Sequence, residues 1–223
     1  MRILAIPQNS EEWRQHRIGK IGGSDAKGVM PLKRGADRTP VGFWDLLAQK
    51  ISIAADGEPV MDRGHRLEKD ALERFARDFK LKLKIDDQFW ESDENSDISV
   101  SPDGSEDSDK PTWAAEAKCL SSANHLKYTV KDIRAKKEKD YLGINQVPPE
   151  YRCQVIQYFV VCGTLEKLYF ILHDDRIVID EYVSHVIEIT RKEIEGEIEL
   201  QKAVELSTLK EVNNLIAELM EDE

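Results

Sequence analysis

The sequence predicts an α/β (α+β) fold, with a mixed central sheet flanked by helices on both faces. Three observations carry that expectation. The periodicities run in the order helices, strands, a central hairpin, a helix, two strands and terminal helices, an order that suits helices layered on a sheet. Leu67, Ala71, Leu72, Phe75 and Phe79 recur every three or four residues, the spacing of a buried helical stripe. Ser101-Pro102-Asp103-Gly104 has turn chemistry and precedes the apolar Trp113-Ala114-Ala115, so the chain reverses and pairs there. At 223 residues the chain suits a single domain, 1–223, with a core over about 10–180 and a helical segment over 182–223.

Composition narrows the class. The chain is 40% hydrophobic and 34% charged, as a soluble globular protein is. No apolar run approaches the ~20 residues of a membrane span and no signal-peptide pattern opens the chain, so the expectation is a cytoplasmic protein with no membrane partner. Cys119, Cys153 and Cys162 have apolar neighbours and no CxxC spacing, and read as reduced core thiols rather than zinc or iron–sulfur ligands. A net charge of −11 argues against a broad basic face gripping DNA, although a local basic patch can coexist with an acidic exterior.

In chain order, Ser10 caps a first helix that carries Trp13 and Arg17 and ends near Ile18-Gly19. Gly22-Gly23-Ser24 then opens a second helix, and a glycine turn with a hydroxyl at a helix start can receive an anion, with Arg17 just upstream. Residues 31–40 are a basic loop and 41–51 a helix. The striped helix spans 61–79 and carries His65 and Glu68 beside its apolar face. Leu81–Ile85 alternates as a strand, Phe89-Trp90 starts another, and Ile98–Val100 leads into the hairpin across an acidic loop. Residues 121–140 are polar and basic, Val147–Tyr151 breaks the chain, and a helix follows with Gln154 and Gln157 three apart on one face. Leu168–Leu172 and Arg176–Asp180 are expected as two strands about the turn at 173–175, with residues 182–223 helical.

The chemistry concentrates at the hairpin. Glu116 and Lys118 are two apart and share one face of a strand. Burying them there is costly unless they are paired or used. The hairpin brings Asp103 beside Glu116, and two close carboxylates suit a hard divalent cation while a nearby lysine orients or activates water.

Four segments together resemble a family. Trp13-x-x-x-Arg17-Ile-Gly19-x-Ile21-Gly-Gly-Ser24, Gly64-x-x-x-Glu68-x-x-Ala71, Ser101-Pro-Asp103-Gly with Glu116-Ala-Lys118-Cys119, and Tyr151-x-x-Gln154-x-x-Gln157-Tyr158 stand in the order found in phage-type alkaline exonucleases. These are the lambda exonuclease and YqaJ-type viral recombinases of the PD-(D/E)xK nuclease superfamily, and the resemblance covers about residues 10–172. It implies a PD-(D/E)xK restriction-endonuclease-like core. The activity it implies is a Mg²⁺-dependent 5′→3′ exonuclease, with Mn²⁺ as a substitute, that digests one strand from double-stranded DNA ends. The product would be a 3′ overhang for phage-type recombination by strand annealing.

The resemblance also implies roles. Asp103, Glu116 and the main-chain carbonyl of Ala117 would hold the metal, and Lys118 would orient or deprotonate water. Glu68 would edge the metal site, and Gln157 would position the scissile phosphate or nucleophile. Arg17, Ser24, Ser101 and Gln154 would receive the 5′-phosphate and DNA. The implied partners are a homotrimer ring that encloses DNA and a single-strand annealing protein, in a phage or prophage setting inside a bacterial host. Against this stand two alternatives, an endonuclease on the same core and a non-catalytic acidic interaction protein. The acidic 104–115 loop and the long 121–150 segment depart from the family pattern.

Overall fold

The computed structural model describes residue 11, residues 60–85 and residues 89–221. The expected elements over 10–51, with Arg17 and Ser24, lie outside the described residues, as does the side chain of His65. The elements named here are numbered over the described part.

Helix α1 (Val60–Phe79) runs over the stripe read from the sequence, and Leu67, Ala71, Leu72 and Phe75 are all buried. Lys80, with φ of 55°, ends it in a left-handed conformation. Strand β1 (Leu83–Ile85) follows. Strands β2 (Trp90–Glu91) and β3 (Ser99–Val100) pair with each other as a separate ribbon and do not extend the main sheet. The hairpin is formed by β4 (Gly104–Glu106) and β5 (Trp113–Lys118), antiparallel, with Gly104 opposite Ala115.

Helix α2 (Ser122–Ala135) is capped by Ser121, whose side chain accepts from the Asn124 N–H. Pro149 opens a 3₁₀ turn, Pro149–Tyr151, that runs straight into α3 (Arg152–Val161). Strand β6 (Lys167–His173) lies parallel to β5, and β7 (Ser184–Thr190) lies antiparallel to β6. Helix α4 (Glu195–Glu221) is the last described element. The main sheet has the order β1-β4-β5-β6-β7 and is mixed, as expected.

The pleat of β6 sorts the core onto two faces. Tyr169 and Ile171 meet α1 through Ala71, Leu72 and Phe75, together with Ala115 and Ala117 of β5. Leu168, Phe170 and Leu172 face the opposite way and pack with Ala114, with Val155 and Phe159 of α3 and with Ile198 of α4. Glu116 and Lys118 are in step with Ala114, so they point toward α3.

Three expectations are corrected. Arg176–Asp180 is not a strand. Asp174 accepts from both the main-chain N–H and the side chain of Arg176, which curls the segment, and of its apolar run only Ile177 is buried while Val178 is 62% exposed. The strand lies further on, at β7, in a stretch expected to be helical. There Ile187 and Ile189 are buried and Glu188 between them is exposed, the alternation of a strand half-buried on a sheet. The cysteines form no disulfide among the described residues, but none is fully buried: Cys153 is exposed and Cys119 and Cys162 are half-buried.

Candidate active site

The hairpin register sets Asp103, just before β4, across from Glu116 on β5. An Asp103 carboxylate oxygen accepts the Ala117 N–H at 2.8 Å, which ties the turn to the strand. Its carboxyl also hydrogen-bonds Glu68 of α1. Glu116 is only 1% exposed, yet it is a charged group in a core of aliphatic and aromatic side chains. Three donors meet it. Lys118 Nζ and Gln154 Nε2 (2.7 Å) donate to Oε1, and the buried Tyr158 hydroxyl donates to Oε2. The Tyr158 hydroxyl also lies 3.4 Å from the Ser101 carbonyl, which joins α3 to the start of the hairpin. Lys118 Nζ stands 5.6 Å from the centre of the Tyr151 ring.

The electrostatics are those of unbalanced negative charge. Burial pushes the Asp103 carboxyl up to about 7, reinforced by the hydrogen bond to Glu68 and the Glu68 charge, against the lowering effect of the Ala117 N–H and of Lys118. Burial also raises Glu116, and Asp103 raises it further, although Lys118 and Tyr158 oppose this. Burial alone would lower Lys118, but Glu116, Asp103 and Glu68 together hold its ammonium above the ordinary value. Lys118 as found is therefore a cation and proton donor at neutral pH.

The structure brings together Asp103, Glu116, Lys118, Glu68 and Gln154 and sets Gln157 elsewhere. Gln157 reaches toward the Ser99 carbonyl at 3.5 Å, and its side-chain oxygen accepts from Gln201 of α4. Of the two glutamines, the one at the carboxylates is Gln154. Ser101 is exposed beside the turn. Tyr158 stood in the sequence motif without a role, although its signal was present: Tyr151, Gln154 and Tyr158 fall at i, i+3 and i+7 and form one stripe of a helix.

Oxygen donors dominate the cleft, and a hard cation fits their chemistry. Glu116 is raised by burial and by the charge of Asp103, and Asp103 by burial and by Glu68, so the cleft is short of positive charge. Among the described residues no group of three or more His, Cys, Asp and Glu side chains forms a metal cage by itself.

A mixed α/β sheet with an acid at the head of a hairpin and Glu-x-Lys on its second strand is the arrangement of a PD-(D/E)xK-type core. The profile of the YqaJ-like viral recombinase domain matches residues 12–164, and the chain belongs to that family. Two solved structures share the fold. One is the crystal structure of an alkaline exonuclease (LHK-Exo) from Laribacter hongkongensis, 24% identical, with a TM-score of 0.54 over 96% of this chain and 100% of that one. The other is LHK-Exo in complex with dAMP, 23% identical, with a TM-score of 0.53 and the same coverage. A comparison with curated proteins gives no match.

Proposed function

We propose that this chain is a DNA exonuclease of recombination: a Mg²⁺-dependent enzyme that digests the 5′-ended strand of double-stranded DNA and leaves a 3′ overhang for annealing. Membership of a viral recombinase family and the alkaline-exonuclease fold support a nuclease acting on DNA. The observation that carries the reading is the convergence of Asp103, Glu116, Lys118 and Gln154 in one cleft. Among the described residues no helix is long and apolar enough to cross a membrane.

Asp103, Glu116 and the Ala117 carbonyl would hold the metal, with Glu68 at its edge. When bound, the metal supplies Lewis-acid stabilisation of charge on the phosphate and a more acidic water. The remaining work falls to the chain's own groups. Lys118, held as an ammonium, orients the attacking water and offers a proton and a positive charge to the developing phosphorane-like oxygens. Gln154 takes the positioning role that the resemblance gave to Gln157, because its amide already reaches Glu116. Tyr158 fixes the Glu116 rotamer from below. Arg17, Ser24 and Ser101 would receive the terminal 5′-phosphate. A homotrimer ring and an annealing partner complete the reading, and a ring would reconcile sustained digestion with a net charge of −11 by retaining DNA through topology.

The deciding experiment offers linear 5′-phosphorylated duplex and covalently closed circular duplex, each with Mg²⁺ and with EDTA. The expected result is Mg²⁺-dependent loss of the linear DNA only, with the 3′-ended strand surviving. Cutting of the circle would replace this reading with an endonuclease on the same core, and inertness toward both would remove the enzyme.

A further inference from the structure

Between the cleft and the far end of α2 runs a surface that the catalytic reading leaves unused. Residues 122–152 carry seven basic and four acidic side chains in a chain whose net charge is −11. Lys127 and Lys131 stand one turn apart on α2, and Arg152 begins α3. The Asn145 carbonyl accepts from both Lys131 Nζ and Arg152 Nη2, and Arg152 Nε donates to the Val147 carbonyl. One neutral oxygen therefore holds two cations side by side. The loop that supplies it is fixed: a Cβ on Gly143 would come within 1.9 Å of the Glu188 carbonyl oxygen, and the Ile144 N–H donates to Glu193.

None of Lys127, Lys131 and Arg152 forms an ion pair among the described residues, whereas neighbouring Lys136 does. The consequence is visible in Lys131, whose ammonium is lowered by burial and then by the charges of Arg152 and Lys127, with only Asp132 acting the other way. Repulsion built into a rigid scaffold is relieved by an anion. Aromatic rings line the same surface. Lys127 lies 5.5 Å from the Tyr128 ring centre, Tyr128 feels the charges of Glu150 and Arg152, and Tyr151 lies against Lys118 of the cleft. The path is continuous: Lys118, Tyr151, Arg152 and Tyr128, then Lys127 and Lys131.

We infer that this surface carries the strand being cut, with Lys127, Lys131 and Arg152 holding the phosphates next to the scissile one and Tyr151 and Tyr128 lying against its sugars and bases. Basic side chains interleaved with aromatics are how single strands are tracked without regard to sequence. The inference rests on the nuclease reading for the position of the scissile phosphate, but binding alone tests it.

The test measures anisotropy of a labelled 5′-phosphorylated duplex bound by the full chain in EDTA, across about 50 to 200 mM salt. The wild type is compared with Lys127→Gln/Lys131→Gln and with a control pair on other elements, Lys192→Gln/Lys210→Gln. Each phosphate contact contributes about 0.9 to the slope of log affinity against log salt, so the Lys127/Lys131 pair should lower the slope by about two and weaken binding about tenfold or more. The control pair should change neither. If the pair variant fails to fold by circular dichroism, Lys127→Gln alone decides, with an expected loss of about one in slope, because its ammonium makes no main-chain bond in this loop. An unchanged slope, or no binding by the wild type, overturns the inference. A lost slope with no Mg²⁺-dependent cleavage by the wild type would keep the surface and remove the nuclease reading instead.

Discussion

Glu116 and Asp132 are both buried carboxylates, and each is met by a lysine, a tyrosine hydroxyl and one further nitrogen. Glu116 has Lys118, Tyr158 and Gln154. Asp132 has Lys136 at 2.7 Å, Tyr141 at 2.7 Å and His185 at 2.8 Å. With near-identical donors, they respond in opposite directions. At Asp132 burial raises the carboxyl, but the bonds from His185, Lys136 and Tyr141 outweigh it and hold the group below the ordinary carboxylate range. Glu116 stays above that range, because burial is joined by the charge of Asp103. One cluster is electrically closed and the other is one cation short. Hydrogen-bond satisfaction alone does not separate a structural ion pair from a functional one; the second carboxylate does.

The sharpest way to break this comparison is through the two lysines. Lys118→Ala should cut turnover about 1000-fold or more if the proposed role of its ammonium at the phosphate holds, with the variant's fold verified by circular dichroism. Lys136→Ala should leave turnover intact. Equal turnover in Lys118→Ala and wild type would place the two lysines in the same structural class.

Stability should show the reverse order. Asp132→Ala leaves the half-buried Tyr141 hydroxyl, Lys136 and His185 without their acceptor and should cost about 3 kcal/mol in urea unfolding. Glu116→Gln keeps one acceptor oxygen for Lys118 and Gln154, leaves the Tyr158 hydroxyl to accept from the new amide and donate to the Ser101 carbonyl, and removes a charge repelled by Asp103, so it should cost less. A larger loss at Glu116 than at Asp132 would invert the assignment of closed and open clusters.

Much of this was legible in the sequence, and the limits are physical. Asp103, Glu116 and Lys118 are readable because a turn and a period of two are local, and the α1 stripe is readable because one of its faces meets the sheet. Gln154 and Gln157 were not separable. Valines, isoleucines and aromatics surround them on α3, and with Val155, Ile156, Phe159 and Val160 all buried no polar face marks which glutamine looks at the carboxylates. Only the packing of α3 against β5 decides it. The misplaced strand has a related cause: Ile177-Val178-Ile179 is as apolar as β7, and what unmakes it is a local Asp174–Arg176 ion pair. Nothing in the composition marks His185 or Tyr141 as partners of Asp132, since α2, β7 and the loop at 141 meet only in three dimensions.

The region around Asp132 also predicts a response to acid. His125 of α2 is fully buried, and its Nε2 lies 2.7 Å from the Tyr182 carbonyl oxygen. Burial pushes its imidazole down to about 4, against the raising effects of that carbonyl and of Asp174 and with the lowering effects of His185 and His173. A histidine depressed on folding contributes full stability above its unfolded value near 6.5. That contribution is lost as pH falls from 6.5 toward 4, because the unfolded chain takes the proton first. The advantage of wild type over His125→Gln should therefore shrink by about 3 kcal/mol across that window and be flat above it, as read from urea midpoints against pH. A constant difference would mean that His125 titrates alike in both states.

Asp103 should respond with the opposite sign. Its carboxyl is raised on folding to about 7, so in the absence of metal it weakens the folded state at high pH and ceases to do so as pH falls toward the unfolded value. Asp103→Asn should then be more stable than wild type at pH 8, by about 1 kcal/mol because solvent at the cleft mouth screens the charge, and indistinguishable from it near pH 4. The same substitution should bring Glu116 down toward the ordinary range and make its cluster behave like that of Asp132. Mg²⁺ should close the gap from the other side, raising the melting temperature of the wild type at pH 8 and leaving the variant unmoved, because a cation that binds only the folded, charged site stabilises by mass action. A variant less stable than wild type at pH 8 would mean that the Ala117 N–H bond to Asp103 outweighs the repulsion, and the cleft would then be as electrically closed as its counterpart.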